Sequence, residues 1–297
     1  MSGIVPTLKR FNAYQQERFP LIILTLSFLP AVLSSVAVTS GHQTIFNIGG
    51  ALLASVAYLL HVRILDEYRD FEHDNTHHQM RPIQSGIISK EELLYVDLVS
   101  LVIFLVIAAL AGVYAFVVAA VMLAYSYLAG KEFFLGEDLR KHFFTYNGIN
   151  LVQMFLLQLF VYTVFANPFL LGTIVFVHFL FTAVGTVAFE FIRKLKIPGD
   201  DGTGQDTYTW HMGFEKALIV YLVLLFSNAV LFFLVTTFIS LHALTLLIFS
   251  LGLALLTALS AFAHWVQRTH RSDQLMQLSF LILYGIFNVA IYFLKFY

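Results

Sequence analysis

His61-Val-Arg63-Ile-Leu-Asp66-Glu-Tyr-Arg69-Asp70-Phe-Glu-His-Asp74, with Arg81-Pro82-Ile83 just behind it, is the stretch on which the reading of this chain turns. It closes an apolar run long enough to cross a membrane. Asp66, Asp70 and Asp74 are spaced by four. On an α-helix each such step passes a full turn by about 40°, so the three carboxylates form one slanted stripe. Carboxylates gathered at the end of a membrane helix need a partner to offset their repulsion. With arginines close by, a divalent cation carrying a phosphorylated substrate fits that need. The plainer alternative is a solvated helix end whose acids pair with Arg63, Arg69 and the group His73, His77, His78. The regular register and the Arg-Pro that follows favour a ligand site. The histidine pair His77-His78 would suit a transition metal, but the oxygen-rich surroundings favour Mg²⁺ or Mn²⁺, with the histidines peripheral.

Outward from this stretch the chain is apolar. Only 12% of its 297 residues are charged, and 31 are Phe. Mean hydropathy is +0.81. This is the composition of a polytopic membrane protein, with no sign of a nucleic-acid partner. Nine segments are long and apolar enough to span, at about 19–39, 44–64, 93–111, 112–130, 143–165, 168–189, 215–237, 239–262 and 276–294. No linker or low-complexity tract divides them, so one domain over 1–297 is expected. Residues 1–18 read as a polar cytoplasmic segment rather than a signal peptide. The absence of Cys excludes disulfides, zinc–thiolate sites and thiol nucleophiles.

The connections alternate. Links after spans 1, 3, 5 and 7 are short and free of Lys, Arg, Asp and Glu. Links after spans 2, 4, 6 and 8 are longer and charged. Of 17 Lys and Arg, all but Lys295 fall on the even-link side, and all 18 Asp and Glu do so too. The positive-inside rule then puts the N-terminus and the even links in the cytoplasm and the C-terminus outside, in an inner or plasma membrane. Charge avoidance of lipid explains apolar spans. It does not explain why one face collects the acids and the other has almost no charge.

Two further clusters lie on the charged side. Glu190-Phe-Ile-Arg193-Lys194 closes span 6, and Pro198-Gly-Asp200-Asp201-Gly-Thr-Gly-Gln-Asp206-Thr-Tyr208 follows. Glu190 and Lys194 share a helix face. This is either an ordinary ion pair with a Gly-rich turn or the counterpart of the first cluster. The Gly-rich run matches no phosphate-loop pattern. At the end of span 4, Tyr127 and Lys131 are also four apart, either as interfacial anchors or as part of the same mouth. Within the spans, Asn147, Asn150, Gln153, Gln158, Asn228 and Asn288 are polar. Asn150 and Gln153 could line a cavity, although hydrogen bonding between helices is the commoner use of such residues. The aromatic content could build an isoprenoid pocket that shields a carbocation, or simply face lipid.

Nine spans, acidic clusters after spans 2 and 6, and Tyr-x-x-x-Lys after span 4 together resemble the UbiA superfamily of intramembrane prenyltransferases, over nearly the whole chain. The family's first motif, Asn-x-x-x-Asp-x-x-x-Asp and then Arg-Pro-Leu, stands here as Asp66, Asp70, Asp74 and then Arg81-Pro82-Ile83. The resemblance implies an all-α bundle of nine membrane helices. It implies that Asp66, Asp70, Asp74 and Glu190 bind Mg²⁺, or Mn²⁺, bridged to a prenyl diphosphate. Arg81 and Lys131 would contact the diphosphate, with Tyr127 near the reacting carbon. Arg63, Asn150, Gln153 and Arg193 complete the expected substrate contacts. The second motif departs from the family. Where it shows Asp-x-x-x-Asp, this chain has Glu190 and Lys194, so a lysine that neutralises phosphate directly stands in place of a metal ligand.

The implied reaction is Mg²⁺-dependent transfer of a prenyl group from an isoprenoid diphosphate to a lipophilic acceptor, aromatic acceptors included, within the membrane. Two rivals use the same fold. A membrane terpene cyclase ionises the same diphosphate but needs no acceptor. A non-catalytic lipid-binding or transport protein releases no diphosphate.

Overall fold

The computed structural model describes residues 4–39, 44–166, 169–197 and 206–297. Its described elements are all helical: α1 (Ile4–Arg18), α2 (Leu21–Thr39), α3 (Ile45–Arg69), α4 (Phe71–His77), α5 (Lys90–Ala111), α6 (Val113–Gly130), α7 (Glu137–Arg140), α8 (Phe143–Phe165), α9 (Thr173–Arg193), α10 (Tyr208–Met212), α11 (Phe214–Thr237), α12 (Ala243–Gln267) and α13 (His270–Phe296), with a single turn at Glu132–Phe134. Among the described residues, 9 helices are long and apolar enough to span a membrane. They are α2, α3, α5, α6, α8, α9, α11, α12 and α13, and each coincides with an expected span. The chain is a multi-pass integral membrane protein.

The helices overrun the apolar segments mainly on the charged side. Thus α3 continues to Arg69, α12 to Gln267, while α5 begins at Lys90 and α13 at His270. Hydropathy stops at the lipid, but a helix continues into water where its ends are capped. Ser89 and Glu92 form a reciprocal capping box on α5, and Thr269 with Ser272 does the same on α13. On the opposite side one turn is abrupt. A single residue, Gly112, joins α5 to α6 at φ 117°, a conformation that Cβ-bearing residues rarely adopt.

Two apolar cores share α2 and α8. One is built from α2, α3, α5, α6 and α8, where Ala51, Ala54, Ala108, Ala115 and Ala119 let backbones approach and Tyr58, Phe104, Met122 and Phe160 fill the gaps. The other gathers α9, α11, α12 and α13 around Phe181, Tyr221, Phe232, Phe280 and Phe287. Here α9 and α13 meet at Gly185, where an added Cβ would lie 2.3 Å from the Tyr284 ring. That ring is held between Phe181 and Phe280.

A buried polar chain pins the cores together. Tyr162 on α8 donates to His178 Nδ1 on α9 at 2.6 Å. The other ring nitrogen lies 2.9 Å from Ser34 Oγ on α2, and Ser34 donates to Asn288 Oδ1 on α13 at 2.6 Å. Gln158 reaches Ser35 Oγ at 2.8 Å, and Asn228 of α11 donates to the Phe181 carbonyl at 2.8 Å. Gln158, Asn228 and Asn288 thus make the interhelical bonds that polar residues in spans most often make.

Candidate active site at the charged end of the bundle

The C-terminal ends of α3, α6 and α9 and the N-terminal end of α8 lie on the same side of the bundle. At Asp70 the helix breaks between α3 and α4, but the amide bonds that link the three aspartates persist. Asp70 N bonds Asp66 O at 2.9 Å, Asp74 N bonds Asp70 O at 2.9 Å and His78 N bonds Asp74 O at 2.8 Å. The three carboxylates therefore keep their one-turn spacing.

Their surroundings differ. Arg69 sits between the first two, with Nη2 2.9 Å from Asp66 Oδ1 and Nε 3.1 Å from Asp70 Oδ1. Its guanidinium also lies 5.8 Å from the centre of the Tyr146 ring at the start of α8. The Asp66 and Asp70 side chains retain 31% and 38% exposure. Two accessible carboxylates that converge on one cationic group form an all-oxygen donor pair, which fits Mg²⁺ or Mn²⁺ and suits softer ions poorly. Asp74 is buried, and Arg81 Nη1 pairs with its Oδ2. The loop that carries Arg81 is folded back tightly, with Ser85 N on Arg81 O at 2.8 Å and Ile87 N on Pro82 O at 2.8 Å. In it, both amide atoms of Gln84 are buried without a partner among the described residues.

The second cluster lies across α8. Lys194 Nζ is 3.2 Å from Glu190 Oε1 and donates to Asn147 Oδ1. Arg193 Nη2 holds Glu190 Oε2 at 2.7 Å. Tyr208 stacks on Phe191 at 3.9 Å, and its phenol is pushed up to about 12 by burial and the Glu190 charge, so it stays protonated. Tyr146 and Asn147 are adjacent on α8, one touching Arg69 and the other Lys194. The α8 N-terminus therefore stands between the two charged clusters. Asp200 and Asp201 lie outside the described residues, and Asp206 is exposed.

Other expected residues are placed elsewhere. Arg63 Nη2 is 2.5 Å from Glu67 Oε1, and Arg18 of α1 reaches the same oxygen at 2.9 Å. Arg63 thus helps dock α1 rather than joining Asp66 and Asp70. Tyr127 is 58% exposed and Lys131 is exposed at the end of α6. Tyr125, two residues earlier, turns inward and donates to Ile149 O at 2.9 Å. Asn150 is half-buried. Gln153 is buried, with Oε1 3.5 Å from the Tyr58 hydroxyl.

Sequence reasoning missed three features. Arg69 was visible as a basic neighbour but not as the clamp between two acids. Tyr146 carried no signal beyond its place one residue before Asn147. Asp97 was counted with the flanking acids, yet it lies inside α5, buried, with Oδ1 2.8 Å from His61 Nδ1. His61 Nε2 is 3.1 Å from Ser126 Oγ. An acid about one turn inside an apolar run was the available signal.

The UbiA prenyltransferase family profile matches residues 27–284, and the chain belongs to that family. Solved structures agree on the fold. A UbiA homologue from Aeropyrum pernix K1 superposes with a TM-score of 0.65 at 18% identity, covering 90% of this chain and 97% of that one. A structure of digeranylgeranylglyceryl phosphate synthase gives 0.63 at 15% identity, covering 95% and 99%. A UbiA homologue from Archaeoglobus fulgidus bound to GPP and Mg²⁺ gives 0.60 at 16% identity, covering 95% and 98%. A comparison with curated protein sequences finds no match.

Proposed function

We propose that the chain transfers a prenyl group from an isoprenoid diphosphate to a lipophilic acceptor inside the membrane. The observation that carries this reading is the pair Asp66 and Asp70, accessible and converging on one cation at the charged end of a UbiA bundle. The homologue bound to GPP and Mg²⁺ supports the donor class.

Asp66 and Asp70 would hold Mg²⁺, with Asp74 and Glu190 as further carboxylates of the site. Bound there, the ion would offset charge on the departing diphosphate. The chain's own groups supply the rest. Arg69 is ion-paired with Asp66 and Asp70, Arg81 with Asp74, and Arg193 and Lys194 with Glu190. A diphosphate offers these cations stronger acceptors, and each that turns to it leaves its carboxylate for metal. Lys194 and Arg193 then neutralise phosphate as fixed charges where the family's second motif has an acid. Burial of the carbon end among apolar helices keeps water from an allylic cation. That cation forms as the C–O bond to diphosphate breaks; an acceptor entering from the bilayer then attacks the carbon and gives up the proton it carried there, and diphosphate leaves.

The test is product analysis on purified, reconstituted protein given GPP and Mg²⁺, with and without lipophilic acceptors. A coupled product, diphosphate release and loss of both on chelation of Mg²⁺ are expected. Release without acceptor and with a cyclised hydrocarbon would replace transfer by cyclisation. No release under any condition would leave a binding protein.

A further inference from the structure

His73, Asp74 and His78 cluster at the end of the acidic stripe. One ligand atom from each lies within 4.8 Å of the other two. His73 Nδ1 is 3.5 Å from Asp74 Oδ1. That is long for a hydrogen bond between these groups, but close to the edge of about 3.4 Å expected for a tetrahedron with metal–ligand bonds of about 2.1 Å. The His73 and His78 rings have centroids 5.8 Å apart and are tilted by 53°, so they do not stack. Asp74 divides its oxygens. Arg81 takes Oδ2, which orients the carboxylate as an outer partner orients a metal ligand, and Oδ1 remains toward His73. His77 has a different role. Its Nδ1 donates to the His73 carbonyl at 3.1 Å, and its ring stacks on His73 at 4.4 Å, which restrains that imidazole.

The geometry points to a site for a borderline divalent ion, Zn²⁺ first, held by His73, Asp74 and His78 with an open position for water. Two imidazoles and one carboxylate are the donor set such ions take, and they suit Mg²⁺ poorly. Because α4 ends at His77, the ion would tie the last turn of α4 to the turn leading to Arg81. It shares Asp74 with the acidic stripe, and the two imidazoles distinguish it from the all-oxygen pair Asp66 and Asp70.

The experiment is titration of the full chain, purified without a polyhistidine tag, with Zn²⁺ by calorimetry and with Co²⁺ by visible absorption. One saturable equivalent is expected, with the ligand-field bands of low-coordinate Co²⁺. His73→Ala and His78→Ala should each weaken binding more than about tenfold, the smallest loss that even an outer-shell change produces. His77→Ala, which frees the His73 ring but removes no ligand atom, should weaken binding less than either ligand replacement, and Gln replacements of His73 and His78 should repeat the Ala results without removing the side-chain bulk. No saturable equivalent, or unchanged affinity when His73 and His78 are both replaced, would overturn the site. A loss in His77→Ala equal to that in His73→Ala would overturn the ligand set. GPP binding with Mg²⁺, measured on the same samples, reports separately on Asp66 and Asp70.

Discussion

Asp70 is the residue on which the proposed chemistry rests most directly. It closes α3, opens α4 and shares Arg69 with Asp66. Because its carboxylate is accessible, its removal costs little folding energy. The penalty should fall on ligand binding instead, since Arg69 would keep one acid and the metal would lose one. Asp70→Ala is therefore expected to fold, with an unchanged unfolding temperature, and to lose Mg²⁺-dependent diphosphate binding and turnover. Diphosphate affinity equal to wild type in that variant would remove Asp70 from the site. Glu67, one residue from Asp66, has the opposite character. It is buried under Arg18 and Arg63, and its charge is committed to holding α1 on α3.

Helices α8 and α9 meet at Lys194, which joins Glu190 on its own helix to Asn147 across the gap. Two roles are open to such a lysine: a tie between elements, or a phosphate-binding charge. They differ in what Lys194→Ala changes. A tie gives a loss of stability with diphosphate affinity nearly intact. A binding charge weakens diphosphate affinity by tenfold or more, about 1.4 kcal/mol, and the second outcome is expected here. Calorimetric affinity within twofold of wild type would leave only the tie. The register at this end was legible because spacing within one helix is local: Asp66, Asp70 and Asp74 kept their stripe, and Glu190 and Lys194 their face. The partners across helices were not legible. Whether Arg63 turns to Asp66 or to Glu67 depends on where α1 docks, and hydropathy says nothing about docking angle.

Across the whole molecule, and apart from Lys295, charge gathers at one end of a nine-span bundle, and every cluster described above lies there. The expected orientation follows from it. Reporter fusions at Gly202 and after Tyr297 should report opposite sides of the membrane, the first cytoplasmic and the second external. Both on one side would contradict an odd number of spans. Residues that hydropathy counted as flanks became parts of helices, as in α3 to Arg69 and α13 from His270. At α13 the capping box at Thr269, rather than the lipid boundary, sets where the helix begins.

What the amino-acid order determined by itself is the membrane class, the nine spans, the side on which the acids gather and the one-turn spacing of Asp66, Asp70 and Asp74. Each of these depends on properties of a single segment: its apolar length, its charge and the fixed pitch of a helix. Tertiary structure alone decided that Arg69 clamps two acids, that Arg63 serves α1, that Tyr125 rather than Tyr127 turns inward, and that Asp97 meets His61 and Ser126. Those outcomes depend on how each helix is rotated and tilted against its neighbours. Side-chain volumes from several distant segments set that rotation together, so no window of the sequence contains it.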